Sequence, residues 1–137
     1  MTDKYDGGCH CGKLRYTCNK KPDFTFYCHC HDCQKTTGGP FSVELMIDRQ
    51  AFEIDGSKTA YTVIGESGGE VHRWACDHCG SGVYLECDSD PEYIFLKAGS
   101  LDDASWVAPE MHIFTSAKQP WVNIDDGLPQ HETQPEV

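Results

Sequence analysis

Cys28-His29-Cys30-His31-Asp32-Cys33 sets three thiols in the spacing C-x-C-x-x-C. Phe24-Thr25-Phe26-Tyr27, aromatic and β-branched, runs straight into it and reads as a strand. Continued to Cys30, that strand would put Cys28 and Cys30 on one face, with Cys33 returning three residues later to converge with them. The same alternation aims His29 and His31 away. A short helical turn with Asp32 as its N-cap can follow, and Gly38-Gly39 must end it.

Two further cysteine knuckles flank this cluster. Cys9-His10-Cys11-Gly12 lies upstream and Cys76-Asp77-His78-Cys79-Gly80 lies downstream. Each presents two sulfurs from one turn. Zinc–sulfur bonds of ~2.3 Å in a tetrahedron let two such turns complete a closed site. The expectation is a structural zinc on Cys9, Cys11, Cys76 and Cys79, which clamps the N-terminus to the middle of the chain. Cys28, Cys30 and Cys33 form the second, open zinc site, two Zn2+ per chain in all. Its fourth ligand is not legible. His29, His31, Cys18 or Cys87 can supply it, or the position is left for water or substrate, as in catalytic zinc sites.

The chain has 137 residues, nine cysteines and a net charge of −11. An odd thiol count cannot pair completely in disulfides. The acidity excludes the basic surface that nucleic-acid backbones require. It also gives an anionic substrate no long-range attraction, so any anion site must be built locally. No apolar run approaches the ~20 residues of a membrane span, and Met1 to Asp6 lacks the pattern of a signal peptide. A cytoplasmic location is the expectation, which suits thiolates on metal.

Outward from the cysteines, the chain reads as strands at short intervals. Lys13 to Cys18 alternates, with Leu14, Tyr16 and Cys18 on one face. Phe41–Ile47, Ala51–Ile54, Lys58–Ile64, Glu70–Ala75, Gly82–Glu86 and Met111–Phe114 follow the same habit. Tyr93–Ala98 is the most apolar and is expected to be central. The 65–69 stretch reads as a loop. No long helical period appears, so the fold class is all-β. One domain is expected over residues 1–125, with a flexible tail at 126–137, loose beyond Pro129. Trp74, Trp106 and Trp121 read as core, Cys18 and Cys87 as small buried residues, and Asp102 and Asp103 as turn caps. His72 and His112 show no partner in the sequence and read as surface or satisfied core.

Three thiolates leave a zinc centre with a net charge of −1, a weak Lewis acid for water but a good seat for a soft thiol ligand. Bound there, a thiol is ionised at neutral pH. The chemistry this favours is addition of a thiolate to a small electrophile such as an aldehyde, with carbon–sulfur cleavage as its reverse. Cys28, Cys30 and Cys33 are the candidate catalytic residues.

The order of these pieces resembles the family of glutathione-dependent formaldehyde-activating enzymes. The resemblance rests on Gly8-Cys9-His10-Cys11-Gly12, the triple at 28–33, Phe41 after Gly38-Gly39, and Cys76-Asp77-His78-Cys79-Gly80. Gly99-Ser100-Leu101-Asp102-Asp103, Lys118-Gln119-Pro120-Trp121-Val122 and Asp126-Gly127-Leu128-Pro129 extend it. It implies a β-tent zinc-binding fold of several coiled sheets, and a carbon–sulfur lyase that joins glutathione to formaldehyde. It also implies the same division of cysteines between a structural and a thiol-binding zinc. Where many relatives carry an arginine after the triple, this chain has Gln34-Lys35. Lys35 is the candidate anchor for a glutathione carboxylate, while Arg15, Arg49 and Arg73 cannot be placed from sequence. Two other readings fit the same cysteines: a non-catalytic zinc module for a protein partner, and metal or thiol sensing.

Overall fold

The computed structural model describes residues 4–65 and 68–135. Met1 to Asp3, part of the expected loop at 65–69 and the last two residues of the tail lie outside them. Among the described residues ten strands form two sheets. In chain order they are β1 (Tyr5–Gly8), β2 (Arg15–Cys18), β3 (Phe24–Cys28), β4 (Ser42–Asp48), β5 (Phe52–Asp55), β6 (Lys58–Ile64), β7 (Glu70–Cys76), β8 (Gly82–Cys87), β9 (Tyr93–Lys97) and β10 (Met111–Ile113). The α-helix among the described residues, α1, spans His31–Thr37.

The smaller sheet has the order β1-β2-β5 and the larger one β10-β3-β4-β9-β8-β7-β6. Every pair is antiparallel except β10 with β3. β9 takes the middle of the seven, and its Ile94, Phe95 and Leu96 are buried in succession, as a strand covered on both faces requires.

Alternation divides the larger sheet between two interiors. Leu45 and Ile47 of β4 and Ile94 and Leu96 of β9 share the main core with Tyr16 and Cys18 of β2 and with Leu14, which precedes it. The opposite face carries Phe26 and Cys28 of β3 against Glu44 and Ser42 of β4, and Glu44 in turn against Lys97 of β9. Phe95 and Leu85 continue it to Arg73 of β7. On this second face α1 lies, and a small apolar cluster of Cys28, Cys33, Ile113 and Phe114 forms beneath it.

Two expectations change. Cys30, not Asp32, caps α1: its sulfur accepts from the Cys33 N–H at 3.3 Å, and Gly38 ends the helix at φ 75°. β3 stops at Cys28, so Cys30 reaches the cluster through the cap and not through alternation. The tail from Pro129 is bonded alongside β10: His112 N–H donates to Pro129 O and His131 N–H to His112 O, each at 2.9 Å, and Phe114 N–H donates to Thr133 O at 3.0 Å. Phe114, in the left-handed region at φ 56°, turns the chain there.

Candidate metal centres and the adjoining cavity

The two knuckles meet. Cys9 and Cys11 turn after β1, closed by Gly12 at φ 82°, and Cys76 and Cys79 turn between β7 and β8, closed by Gly80 at φ 79°. All four sulfurs lie within 4.8 Å of one another. Cys9 and Cys11 stand 3.5 Å apart, and Cys11 and Cys76 3.7 Å. Backbone N–H groups point at the sulfurs, Leu14 to Cys9 at 3.2 Å and both His78 and Cys79 to Cys76 at 3.4 Å. Such donors favour the ionised thiol that a metal needs. The Ser81 hydroxyl, with the Cys11 backbone, holds Cys79 down to about 5. Ser81 also accepts from the His10 N–H at 3.1 Å, which ties one turn to the other. With Cys9 and Cys76 buried and Cys11 and Cys79 exposed, the group can hold a metal ion.

The second group differs. Cys28 ends β3, Cys30 caps α1 and Cys33 sits in its first turn, again with sulfurs within 4.8 Å. Hydrogen bonds from Cys28 and Cys33 stabilise the Cys30 thiolate, down to about 2, and the same sharing pushes the Cys28 and Cys33 thiols up. The three sulfurs therefore behave as one proton-sharing unit. Their open side faces a cavity of about 260 Å³, walled by Phe26, Phe95, Ile113 and Phe114.

Asp32, Asp90, Glu44 and Arg73 also line the cavity, and two of these approach Cys33. Glu44, only 3% exposed, places Oε2 3.3 Å from Cys33 Sγ. Arg73 reaches over from β7, with Nη2 4.0 Å from Cys33 Sγ and Nη1 donating to Thr36 Oγ1 at 3.1 Å. Its Nε is buried with no hydrogen-bond partner. The Cys33 and Glu44 charges keep the guanidinium firmly protonated against the cost of its burial. Neither residue was legible as a site residue. Each lies in an alternating strand, where a charge reads as facing water, and only the covering helix makes that face an interior.

The remaining candidates separate. Lys35 is exposed and does not line the cavity. His31, Asp32 and Cys87 do line it, and Cys18 lies in the main core. His29 is fully buried but points away from the sulfurs, its Nε2 2.9 Å from His112 Nδ1, while His112 Nε2 meets Asp126 Oδ2 at 2.7 Å. The chain His29–His112–Asp126, buried at its two histidines and exposed at Asp126, packs against Tyr27, whose ring stacks on His112 at 4.4 Å. Gln34 staples α1 down, donating to His29 O at 2.6 Å and Ala117 O at 2.9 Å. Arg15 pairs with Asp102, Arg49 with Glu86, and Asp103 caps its turn through Ser105 N–H at 2.9 Å. Trp74 and Trp106 pack on the core, whereas Trp121 is exposed. A third group, Glu70, His72 and Asp88, gathers on the surface of β7 and β8, where His72 also meets Thr62. No helix among the described residues is long and apolar enough to cross a membrane.

Residues 4–117 match the family model of the glutathione-dependent formaldehyde-activating enzymes. A Penicillium rubens protein provisionally named for that activity is 23% identical over 114 residues, 80% of this chain and 59% of its own length. A Phaeosphaeria nodorum protein with the same provisional name is 24% identical over 138 residues, 95% of this chain and 70% of its own. This chain thus spans well under two-thirds of the Penicillium protein. A Rhodobacter sphaeroides protein of known crystal structure shares the fold, with a TM-score of 0.56 and 17% identity over 92% of this chain and 98% of that one.

Proposed function

The chain belongs to the family of glutathione-dependent formaldehyde-activating enzymes, and on that premise we propose that it is a zinc-dependent carbon–sulfur lyase. In this reading a small thiol such as glutathione adds to formaldehyde or a similar aldehyde at Cys28, Cys30 and Cys33. The observation that carries the reading is the contrast between two sulfur groups: four cysteines that gather around one point, and three that line a cavity. Four sulfurs around a tetrahedral zinc stand ~3.8 Å apart for bonds of ~2.3 Å. The separations of 3.5 and 3.7 Å at Cys9, Cys11 and Cys76 fit that donor set. Cys9, Cys11, Cys76 and Cys79 would hold one zinc, and Cys28, Cys30 and Cys33 a second. Bound at the three-sulfur group, the ion supplies a seat for a further sulfur and keeps that sulfur ionised at neutral pH.

The chain's own residues do the rest. Phe26, Phe95, Ile113 and Phe114 exclude water from the reacting atoms, which strengthens every charge interaction inside. Arg73 offsets the negative charge that gathers on the sulfurs. The thiol gives up its proton on entering. Its sulfur lone pair forms the new bond to the aldehyde carbon, the C=O π pair moves to oxygen, and that oxygen takes a proton. Glu44 is the buried carboxyl beside the sulfurs that can carry a proton within the cavity. The reverse breaks the carbon–sulfur bond and returns thiol and aldehyde.

The test is zinc per chain, then glutathione titration of the cobalt-substituted protein, then the rate of adduct formation with formaldehyde over the uncatalysed rate. Two metals, growth of sulfur-to-cobalt bands on adding glutathione, and a protein-dependent rate support the reading. Absence of any thiol-dependent spectral change refutes it.

A further inference from the structure

The cavity lined by the three sulfurs carries three carboxylates, those of Asp32, Glu44 and Asp90, against one guanidinium, that of Arg73. His31 is the one further basic side chain among its described lining residues. The guanidinium is already engaged. Its Nη2 faces Cys33 Sγ at 4.0 Å, its Nη1 donates to Thr36 Oγ1 at 3.1 Å, and its Nε is buried. The lysines near α1 serve elsewhere. Lys35 is exposed and outside the lining, and Lys97 Nζ donates to Ser42 Oγ at 2.6 Å and Thr37 Oγ1 at 2.8 Å, beside a separate cleft.

Glu44 stands against Cys33, but Asp32 and Asp90 have no charged partner. Asp32 lies in the first turn of α1. Asp90 lies in the turn between β8 and β9, where its N–H donates to Cys87 O at 2.9 Å and its O accepts from the Tyr93 N–H at 3.1 Å. Its carboxylate accepts from Ser89 Oγ at 3.1 Å. Among the described residues no Lys, Arg or His nitrogen lies within 4.0 Å of either carboxylate. Leaving the cysteines aside, the lining has a formal balance of −2 with histidine neutral. Three thiolates on a zinc would add a further −1. The cavity is only about 260 Å³, so a thiol seated on the sulfurs brings the rest of its molecule close to these charges. Its apolar walls strengthen their field. An anionic group carried in by the thiol would be repelled, and a cationic one would be drawn to Asp32 and Asp90.

We propose that this cavity selects a thiol bearing a cationic amine near its sulfur, held by Asp32 and Asp90, over thiols that are neutral or anionic. The inference rests on the thiol-addition reading above and narrows its thiol. Glutathione, with two carboxylates and one ammonium, is on this account the weaker ligand.

Cysteamine, 2-mercaptoethanol and 3-mercaptopropionate share one thiol-bearing two-carbon unit and end in a cation, a neutral group and an anion. Cobalt-substituted protein is titrated with each and read by its sulfur-to-cobalt bands. The unaltered chain should bind cysteamine about 10-fold or more tightly than 3-mercaptopropionate, with 2-mercaptoethanol between them, the scale of a charge near two carboxylates at a partly desolvated site. Thiocholine, whose quaternary nitrogen cannot ligate a metal, should share the preference over 3-mercaptopropionate. Asp32→Asn with Asp90→Asn removes both charges and keeps the shapes. It should lower the cysteamine preference roughly 5-fold or more, with thermal melting reporting that the variant is folded. Thiocholine binding no tighter than 3-mercaptopropionate, or a cysteamine preference that survives in the folded double variant, overturns the inference and leaves the thiol reading standing. No spectral response to any of the four compounds overturns the thiol reading and the inference with it.

Discussion

Arg73 Nη2 stands 4.0 Å from Cys33 Sγ while Nη1 of the same guanidinium donates to Thr36 Oγ1 at 3.1 Å. One side chain from β7 thus spans a turn of α1 and sets a positive charge against the sulfurs. Removing it should weaken binding of any thiolate, whatever else the thiol carries. Arg73→Met is expected to raise the Kd of the cobalt-substituted protein for uncharged 2-mercaptoethanol by roughly 10-fold, from the loss of a close, partly desolvated charge. An unaltered Kd in a folded Arg73→Met protein would remove Arg73 from the site.

The two sulfur groups should fail in different ways. Cys76→Ser breaks the group that joins the β1 turn to the β7–β8 turn, and loss of a structural zinc can exceed the ~5–15 kcal/mol stability of a whole domain. It should yield insoluble protein or a melting temperature lowered by well over about 10 °C. Cys30→Ser should keep the fold and lose one zinc, because β3, β4 and β10 remain paired around Cys28. Metal analysis and thermal melting decide this, and equal damage from both would refute the division into structural and thiol-binding sites.

His29 predicts a pH dependence. Its burial first, then the charges of His112 and Lys118, lower its pKa from 6.5 to about 4. The unfolded chain takes up this proton near pH 6.5 and the folded chain does not until about 4. Stability is therefore full above 6.5 and falls as the pH drops toward 4, by at most about 1.4 kcal/mol per unit from this group. Urea melts at about pH 7 and about pH 5.5 should show that loss, and His29→Gln should flatten it. A slope of the same size in His29→Gln would assign the effect to other groups.

Gly80 has φ 79° and nothing within 4 Å of the place a Cβ would take. Gly80→Ala therefore meets no clash, only the ~1–2 kcal/mol of a left-handed backbone. If that strain falls on the Cys76–Cys79 turn, zinc affinity at the four-sulfur group should drop roughly 5- to 30-fold. Competition with a chelator measures it. An unchanged affinity would show that the strain is absorbed elsewhere.

Much of the architecture was legible because strands announce themselves locally. The alternation of Leu14, Tyr16 and Cys18 marked the buried face of β2, and the apolar run at 93–98 marked the central strand. The bonds that join His131 and Thr133 to His112, Phe114 and Thr115 were not legible, because they are backbone bonds that composition does not report. Lys35 follows the triple where relatives carry an arginine, and on α1 it is exposed to solvent.

By itself the sequence determined where the sulfurs gather, because spacings of one or two residues bring two thiols of one turn within reach of a single ion whatever surrounds them. Tertiary structure alone decided which charges meet those sulfurs. Glu44 and Arg73 come from two different strands, and only the register of β4, β9, β8 and β7 and the lie of α1 across them put both on one covered face. Side-chain alternation says that a residue faces one side of a sheet. What covers that side is a property of the whole chain.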